Sequence, residues 1–505
     1  MSATDQPTTD KPTADRQAEK PAEPQDNLSI TQHTVTLGGQ TIRYTVTTGT
    51  LVLKEEVEGK GEKEGASEGH KPKATFFFAA YTRDDVNDLA RRPVTFSFNG
   101  GPGSSSVWLH LGLLGPRRVW LDEVGNLPQP PYRLVENEHS LLDLTDLVFI
   151  DPVSTGYSRP VVGEKAREFH GFRKDIESVG DFIRLYCSRY RRWTSPKFLI
   201  GESYGTTRAA GLSGYLQERH GLFLNGLMLV SVILNVQTAR FDAGNDLPYI
   251  LFLPTYTATA WYHQRLPPDL QADLRAAVRA AEDFALGPYA TALLHGAALT
   301  GEARRAVAEQ LARLTGLSVD YVERTDLRIN IMRFVKELLR DQGRTVGRLD
   351  SRFKGFDRDA AGESFEYDPS LVNVLGPYTA AFNDYVRGEL KFESDLPYEI
   401  LTERVWPWRS DHDGQYLNVA DTLRQALSQN PHLRVFVANG YYDLATPHFA
   451  TEYTLNHLGL APSLQGNLSL RYYEAGHMMY IHQPSLAQLR TDLAAFVQGA
   501  VPPAD

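Results

Sequence analysis

A single cysteine, Cys187, stands among 505 residues, so the chain can hold no internal disulfide. That fits a reducing compartment, although exported bacterial proteins without disulfides share the pattern. Long apolar runs are missing too. Nothing approaches the roughly 20 consecutive apolar residues of a membrane-spanning helix, so no membrane partner is expected. Positive charge is short relative to negative, with a net charge of -10, which argues against nucleic acid as a partner because phosphate binding needs a concentrated basic surface. Clusters such as Arg189 to Arg192 read as solvated helix faces. Met1 to Asn27 contains neither the basic start nor the apolar run of about 7–15 residues that a secretory signal requires. Rich in Thr, Pro, Asp, Glu, Lys and Gln, it is expected to be a disordered tail, since it cannot bury enough surface to offset the entropy of ordering. The expectation is a cytoplasmic protein; a different start site would permit an exported form. A homodimer is compatible with the sequence.

What is present is globular: 42% hydrophobic and 23% charged residues suit a soluble fold of more than one module or one large domain with an insertion. Thr41–Leu53 and Ala74–Tyr81 are strand-like, and Glu55–Lys73 between them, full of Gly, Glu and Lys, reads as a flexible loop. Strands are predicted at Val94–Phe98, Asp146–Ile150, Phe198–Gly201, Gly226–Val232, Leu433–Ala438 and Leu468–Tyr473, with a helix over Phe172–Tyr190. Their continuous apolar character predicts an α/β fold with a largely parallel sheet covered on both faces. Between about 241 and 409 the strand signal stops. Pro268–Leu286, Glu302–Leu314 and Tyr321–Arg340 have helical spacing, and Gly343–Pro369 reads as loop. The expected organisation is therefore a tail (1–27), a first core part (28–240), a mostly helical cap (241–409) and a second core part (410–505).

Gly201-Glu202-Ser203-Tyr204-Gly205 follows an apolar strand and precedes a helix over Thr206–Gln217. Strand, Gly-x-Ser-x-Gly, helix is the order of a nucleophile elbow, a turn so tight that only small residues fit two positions either side of the serine. A serine hydroxyl needs a base within reach and an acid to orient that base. In this class the chain order is Ser, Asp or Glu, then His. The strand ending near Ala438 leads to Asp443, and the strand ending at Tyr473 leads to His477. Each alone is an ordinary loop residue; their joint order and placement make Ser203, Asp443 and His477 the predicted triad. His482 is a minor competitor for the base. The oxyanion hole should combine the amide after the nucleophile, Tyr204, with one from an earlier strand exit, where Asn99-Gly100-Gly101-Pro102-Gly103-Ser104-Ser105-Ser106 offers Gly101. No Gly-Lys-Ser/Thr follows that loop, so it is not a nucleotide P-loop. Asp357–Gly362 is similar to the start of a calcium loop but places Ala361 at position five and Asp368 at position twelve. No metal and no cofactor is expected.

Together these segments resemble the serine carboxypeptidases, a peptidase family with a capped α/β-hydrolase fold. Asn99–Ser106 with Gly115-Pro116 is similar to that family's oxyanion-loop signature, Gly201–Gly205 to its nucleophile signature, Ala475-Gly476-His477-Met478 to its histidine signature, and Asn439–Asp443 to its aspartate loop. The resemblance covers about 42–497 apart from much of the cap. It implies that Ser203 attacks the C-terminal peptide bond of a peptide with a free C-terminus, that His477 is base and then acid, and that Asp443 orients it. It further implies that Asn99 and Glu202 bind the substrate's terminal carboxylate, for which Glu202 must be protonated. Four departures stand out. Leu113 occupies the place of the glutamate that shares a proton with the one beside the serine. Ser104 replaces the usual cysteine. Asp151–Ser158 is one residue short of the family's Asp-x-Pro segment and has Ser154 where glycine is common. Thr446 and Pro447 follow the aspartate.

The same residues leave other α/β-hydrolase chemistries open, namely an aminopeptidase, esterase or acyltransferase, since proline aminopeptidases also use a Gly-Gly-Pro-Gly loop. A binding protein on a retained hydrolase scaffold is the alternative of a different class. Trp108, Tyr157, Trp406 and Tyr442 are candidates to line substrate subsites.

Overall fold

Every residue of segments 94–98, 146–150 and 226–232 is buried, as strands covered on both faces must be. The computed structural model describes residues 23–58, 66–411 and 414–502. Its main sheet is built from β1 (Asn27–Leu37), β2 (Gln40–Glu58), β3 (Ser67–Arg83), β4 (Val94–Phe98), β5 (Asp146–Ile150), β6 (Lys197–Ser203), β7 (Gly226–Val232), β8 (Arg434–Gly440) and β9 (Leu468–Tyr473), with the short strand Arg159–Pro160 pairing beside β3. The order across the sheet is β1-β2-β3-β5-β4-β6-β7-β8-β9. β1, β2, β3 and β5 pair antiparallel, and from β5 to β9 all neighbours are parallel.

Side chains alternate between two apolar layers. Leu147 and Phe149 of β5 join one, Val148 and Ile150 the other. Helices α1 (Phe172–Arg189) and α2 (Tyr204–His220) cover one face through residues such as Val179, Phe182, Leu212 and Leu216. Fully burying each such side chain contributes about 1.5–3 kcal/mol. Between β7 and β8 come α3 (Leu247–Tyr262), α4 (Leu274–Phe284), α5 (Gly301–Thr315) and α6 (Pro369–Gly388). Helices α3 to α5 share an apolar cluster of their own, while α6 packs Tyr378, Phe382 and Tyr385 onto the sheet. Then α7 (Ala420–Gln429) joins α1 and α2, α8 (His448–Asn456) follows β8, and α9 (Gln483–Ala500) covers the second face with Leu486, Leu489 and Leu493. This is the capped α/β-hydrolase architecture. Among the described residues no helix is long and apolar enough to cross a membrane.

Several expectations are corrected. Glu55–Lys73 is not a loop throughout: β2 runs to Glu58 and β3 begins at Ser67, with Glu55 opposite Lys71 and Glu56 opposite His70. Opposite charges facing each other across the pair sustain a ladder that composition alone reads as loop, and Lys174 adds a 2.9 Å ion pair to Glu55. The remainder of that loop, 59–65, lies outside the described residues, as does 1–22 of the expected tail. The last residues of that tail are held in place: Asp26 accepts the Val52 N–H at 2.8 Å, and Asn27 begins β1. Pro268–Leu286 is broken because the Asp273 carboxylate caps Ala276 N at 2.7 Å and starts a new helix there. Tyr321–Arg340 is split likewise, at Asp326 and Leu327 with positive φ and at the Asn330 cap on Arg333 N.

Candidate active site

Parallel register brings five strand ends to one edge. Phe98 of β4 pairs with Gly201 of β6, Glu202 with Val230 of β7, and Gly440 of β8 with Tyr473 of β9. Ligand sites of open α/β sheets lie at this carboxyl edge. Asn99, Ser203, Asp443 and His477 all follow or close these strands.

Ser203 ends β6 with φ of 60° and ψ of -130° before α2 begins at Tyr204. Such a backbone is costly for a non-glycine residue and persists only where the surroundings enforce it. The turn explains its glycines: a Cβ on Gly201 would come within 2.1 Å of Gly205 O, and one on Gly100 within 2.4 Å of Tyr204 N. The oxyanion-loop backbone thus lies directly against the elbow. Gly101, with φ of 102°, and Tyr204 both line the cavity that holds Ser203 and His477.

His477 Nδ1 is 2.7 Å from Asp443 Oδ2. The fully buried Asp443 also accepts the Ala445 and Thr446 amides at 2.8 and 3.0 Å and the Thr446 hydroxyl at 2.7 Å. Thr446, a departure from the family pattern, therefore serves the acid. Burial acts to lower the His477 pKa, but the Asp443 charge and hydrogen bond prevail and hold it above the ordinary 6.5. Among the described residues no hydrogen bond joins Ser203 to His477; such contacts often tighten only with substrate bound.

Glu202 is buried, and desolvation is the main reason its carboxyl is pushed up to about 7, against the opposing pull of His477. Asn99 Nδ2 donates to Glu202 Oε1 at 3.1 Å, while Asn99 Oδ1 accepts the Leu109 N–H at 3.1 Å. Among the described residues Glu202 Oε2 has no hydrogen-bond partner, and the Tyr480 hydroxyl lies near enough to act on the carboxyl. Leu113 sits in a π-helical turn, His110–Leu114. At its neighbour Gly112 a Cβ would meet Tyr480 and the Tyr378 hydroxyl at 2.5–2.7 Å. Tyr378 and Tyr480 stand close to Glu202, Leu113 supplies no second carboxyl, and Glu202 is raised by burial rather than by a shared proton.

Arg208 is not announced by the sequence. Arg208, buried on α2, donates to Asp175 Oδ2 at 2.9 Å and to the Asn99 carbonyl at 2.6 Å. Tyr204 Oη donates to the same Asp175 oxygen at 3.2 Å. This pair ties the loop that begins at Asn99 to the first turn after Ser203. Its only sequence signal is that an arginine four residues past Tyr204 returns to the same helix face.

The cavity is about 730 Å³ and reaches from the elbow to Phe252, Ile331, Arg348 and Phe365. Of the aromatic candidates, Trp108 and Trp406 line it. Tyr157 instead packs on Phe77 and Tyr398, and Tyr442 on Tyr262. His482 bonds Ser485 at 2.8 Å and does not line the cavity. Asp357, weighed above for calcium, is taken by Lys336 and by Thr345 Oγ1.

Comparison with known proteins identifies relatives of this chain. The pheromone-processing carboxypeptidase KEX1 of Saccharomyces cerevisiae is 32% identical over 148 residues, which is 28% of this chain and 19% of the yeast protein. The match thus spans about a fifth of that relative. The crystal structure of KEX1(delta)p, a prohormone-processing carboxypeptidase from the same yeast, superposes with a TM-score of 0.57 at 17% identity, covering 91% of this chain and 92% of that one; this establishes the fold. The family profile described as serine carboxypeptidase matches residues 66–480. With most of its length inside that match, the chain belongs to the serine carboxypeptidase family.

Proposed function

We propose that the protein is a serine-type carboxypeptidase that releases the C-terminal residue of peptides through an acyl-enzyme on Ser203. The observation that carries this reading is Glu202, a buried carboxyl with raised pKa, bonded to Asn99 and lining the same cavity as Ser203 and His477. A protonated carboxyl beside an amide can donate two hydrogen bonds to a substrate's terminal carboxylate, whereas an ionised one repels it.

In this reading Ser203 Oγ attacks the carbonyl of the last peptide bond as His477 Nε2 takes its proton. Asp443 holds the imidazole through Nδ1 and stabilises the imidazolium. The Gly101 and Tyr204 amides receive the oxyanion. His477 then protonates the leaving amine, and water, activated by the same imidazole, hydrolyses the acyl-enzyme. Free-carboxylate peptides are the substrates this arrangement favours.

Digestion of matched peptides, one N-blocked and one C-amidated, followed by mass spectrometry of the products is expected to show stepwise loss of single C-terminal residues from the N-blocked peptide and little cleavage of the amide. Preferential loss of N-terminal residues would instead identify an aminopeptidase, and cleavage of esters alone an esterase.

A further inference from the structure

Away from the serine cavity, ligating groups from two segments converge where the cap meets the helix that follows the Asp443 loop. His448 and Glu452 are four residues apart on α8, so their side chains share one face. Glu282 reaches them from α4. One ligating atom from each of the three lies within 4.8 Å of the others, and His448 Nε2 is 3.6 Å from Glu282 Oε1.

The imidazole gives this cluster its direction. His448 is 0% exposed, and among the described residues its Nε2 has no hydrogen-bond partner. The other ring nitrogen, Nδ1, is 3.3 Å from Thr255 Oγ1. With its proton on Nδ1, the ring turns the Nε2 lone pair toward two carboxylates. Three electron-rich groups cannot face one another at this distance without a positive charge between them. Among the described residues no Lys or Arg forms an ion pair with Glu282 or Glu452, so the charge between these groups is a proton held within the cluster or a metal ion.

We propose that Glu282, His448 and Glu452 form a divalent transition-metal site, with zinc the best-matched ion. Zinc binds His nitrogen and carboxylate oxygen at about 2.0–2.2 Å in tetrahedral geometry, which sets neighbouring ligand atoms about 3.4 Å apart. The 3.6 Å separation of His448 and Glu282 already fits, and with all three ligand atoms within 4.8 Å of one another the cluster needs to close by only about 1 Å onto an ion. An imidazole ligand disfavours calcium and magnesium, which prefer all-oxygen sites. The supports such ligands require are present: Thr255 orients the imidazole, and Tyr472 Oη donates to Glu452 Oε1 at 2.8 Å. Glu282, with its side chain 24% exposed, marks the solvent side, where water takes the fourth position. The ion would clamp α4 of the cap to α8, whose preceding loop supplies the amides that bond Asp443.

The test uses the full chain, stripped with chelator and returned to metal-free buffer. Zinc titration by calorimetry is expected to give one ion per chain and a melting temperature raised by a few degrees, and cobalt(II) is expected to give visible absorption bands of a four-coordinate site. Glu282→Gln, at a partly exposed position where the isosteric change is tolerated, should weaken zinc binding at least tenfold. His448→Gln should abolish the cobalt bands. The proposal is overturned if the stripped protein takes up no zinc, or if uptake is the same in Glu282→Gln and His448→Gln as in the unaltered chain, which would leave the proton as the charge between these groups.

Discussion

Ser203→Ala is expected to lower kcat/KM for peptide hydrolysis by about 10⁴-fold or more, since a triad acts as a unit and loses nearly all its advantage with the nucleophile. Its melting temperature should stay close to that of the unaltered enzyme, because a partly exposed hydroxyl is removed without opening a cavity. The same variant should lose labelling by a fluorophosphonate, which reacts with activated serines. Steady-state kinetics on an N-blocked peptide, with thermal unfolding alongside, checks both halves. Full activity in the variant would remove Ser203 from the chemistry and return the non-catalytic scaffold as a serious reading.

Arg208→Met carries the largest expected effect on stability, a loss of about 3–5 kcal/mol, because it strands the Asp175 carboxylate in the core without its partner. Burial already outweighs the Arg208 charge in raising the Asp175 pKa, and with the guanidinium gone only the Tyr204 hydroxyl remains to bond the carboxyl. Urea unfolding should show a lower midpoint with an unchanged slope. The double variant Asp175→Leu with Arg208→Met should recover much of the loss, as replacing both members of a buried pair by apolar residues often does. A single variant within 1 kcal/mol of the parent by this measure would contradict the tie assigned to Arg208.

Which features were legible in the sequence follows from how local their causes are. Val94–Phe98, Asp146–Ile150, Gly226–Val232 and Leu468–Tyr473 have the same ends in the sequence reading and in the fold, because apolar runs bounded by turn residues carry their own limits. Helix α3 was missed. It contains Pro254 and the run Thr255-Tyr256-Thr257, poor helix formers, and it forms because Leu251–Ala260 is buried on all sides. β1 was missed because its register comes from β2, far from anything its own composition announces.

At the site, the shared placement of Ser203, Asp443 and His477 was legible because each closes or closely follows a strand at the same sheet edge. Arg208 was not: a lone arginine on a helix ordinarily points to solvent, and only Asp175 and the Asn99 carbonyl make its burial tolerable. Tyr378 and Tyr480 beside Glu202 were equally hidden, since α6 and the segment after His477 meet only in three dimensions. Likewise, Glu282 is separated from His448 and Glu452 by most of the cap.

The dependence of KM on pH tests the central claim most directly, for an N-blocked peptide with a free carboxylate beside its C-terminal amide or ester. Burial pushes the Glu202 carboxyl up to about 7, and in the proposed reading it receives the terminal carboxylate only when protonated. KM for the free-carboxylate peptide should therefore rise above that pH, approaching about tenfold per pH unit. The blocked substrate should show no such rise. For both, kcat should fall on the acid side as His477 becomes protonated. A KM for the free-carboxylate peptide that stays flat from mildly acidic to mildly alkaline pH, or one that rises equally for the blocked substrate, would contradict carboxylate recognition by a neutral Glu202.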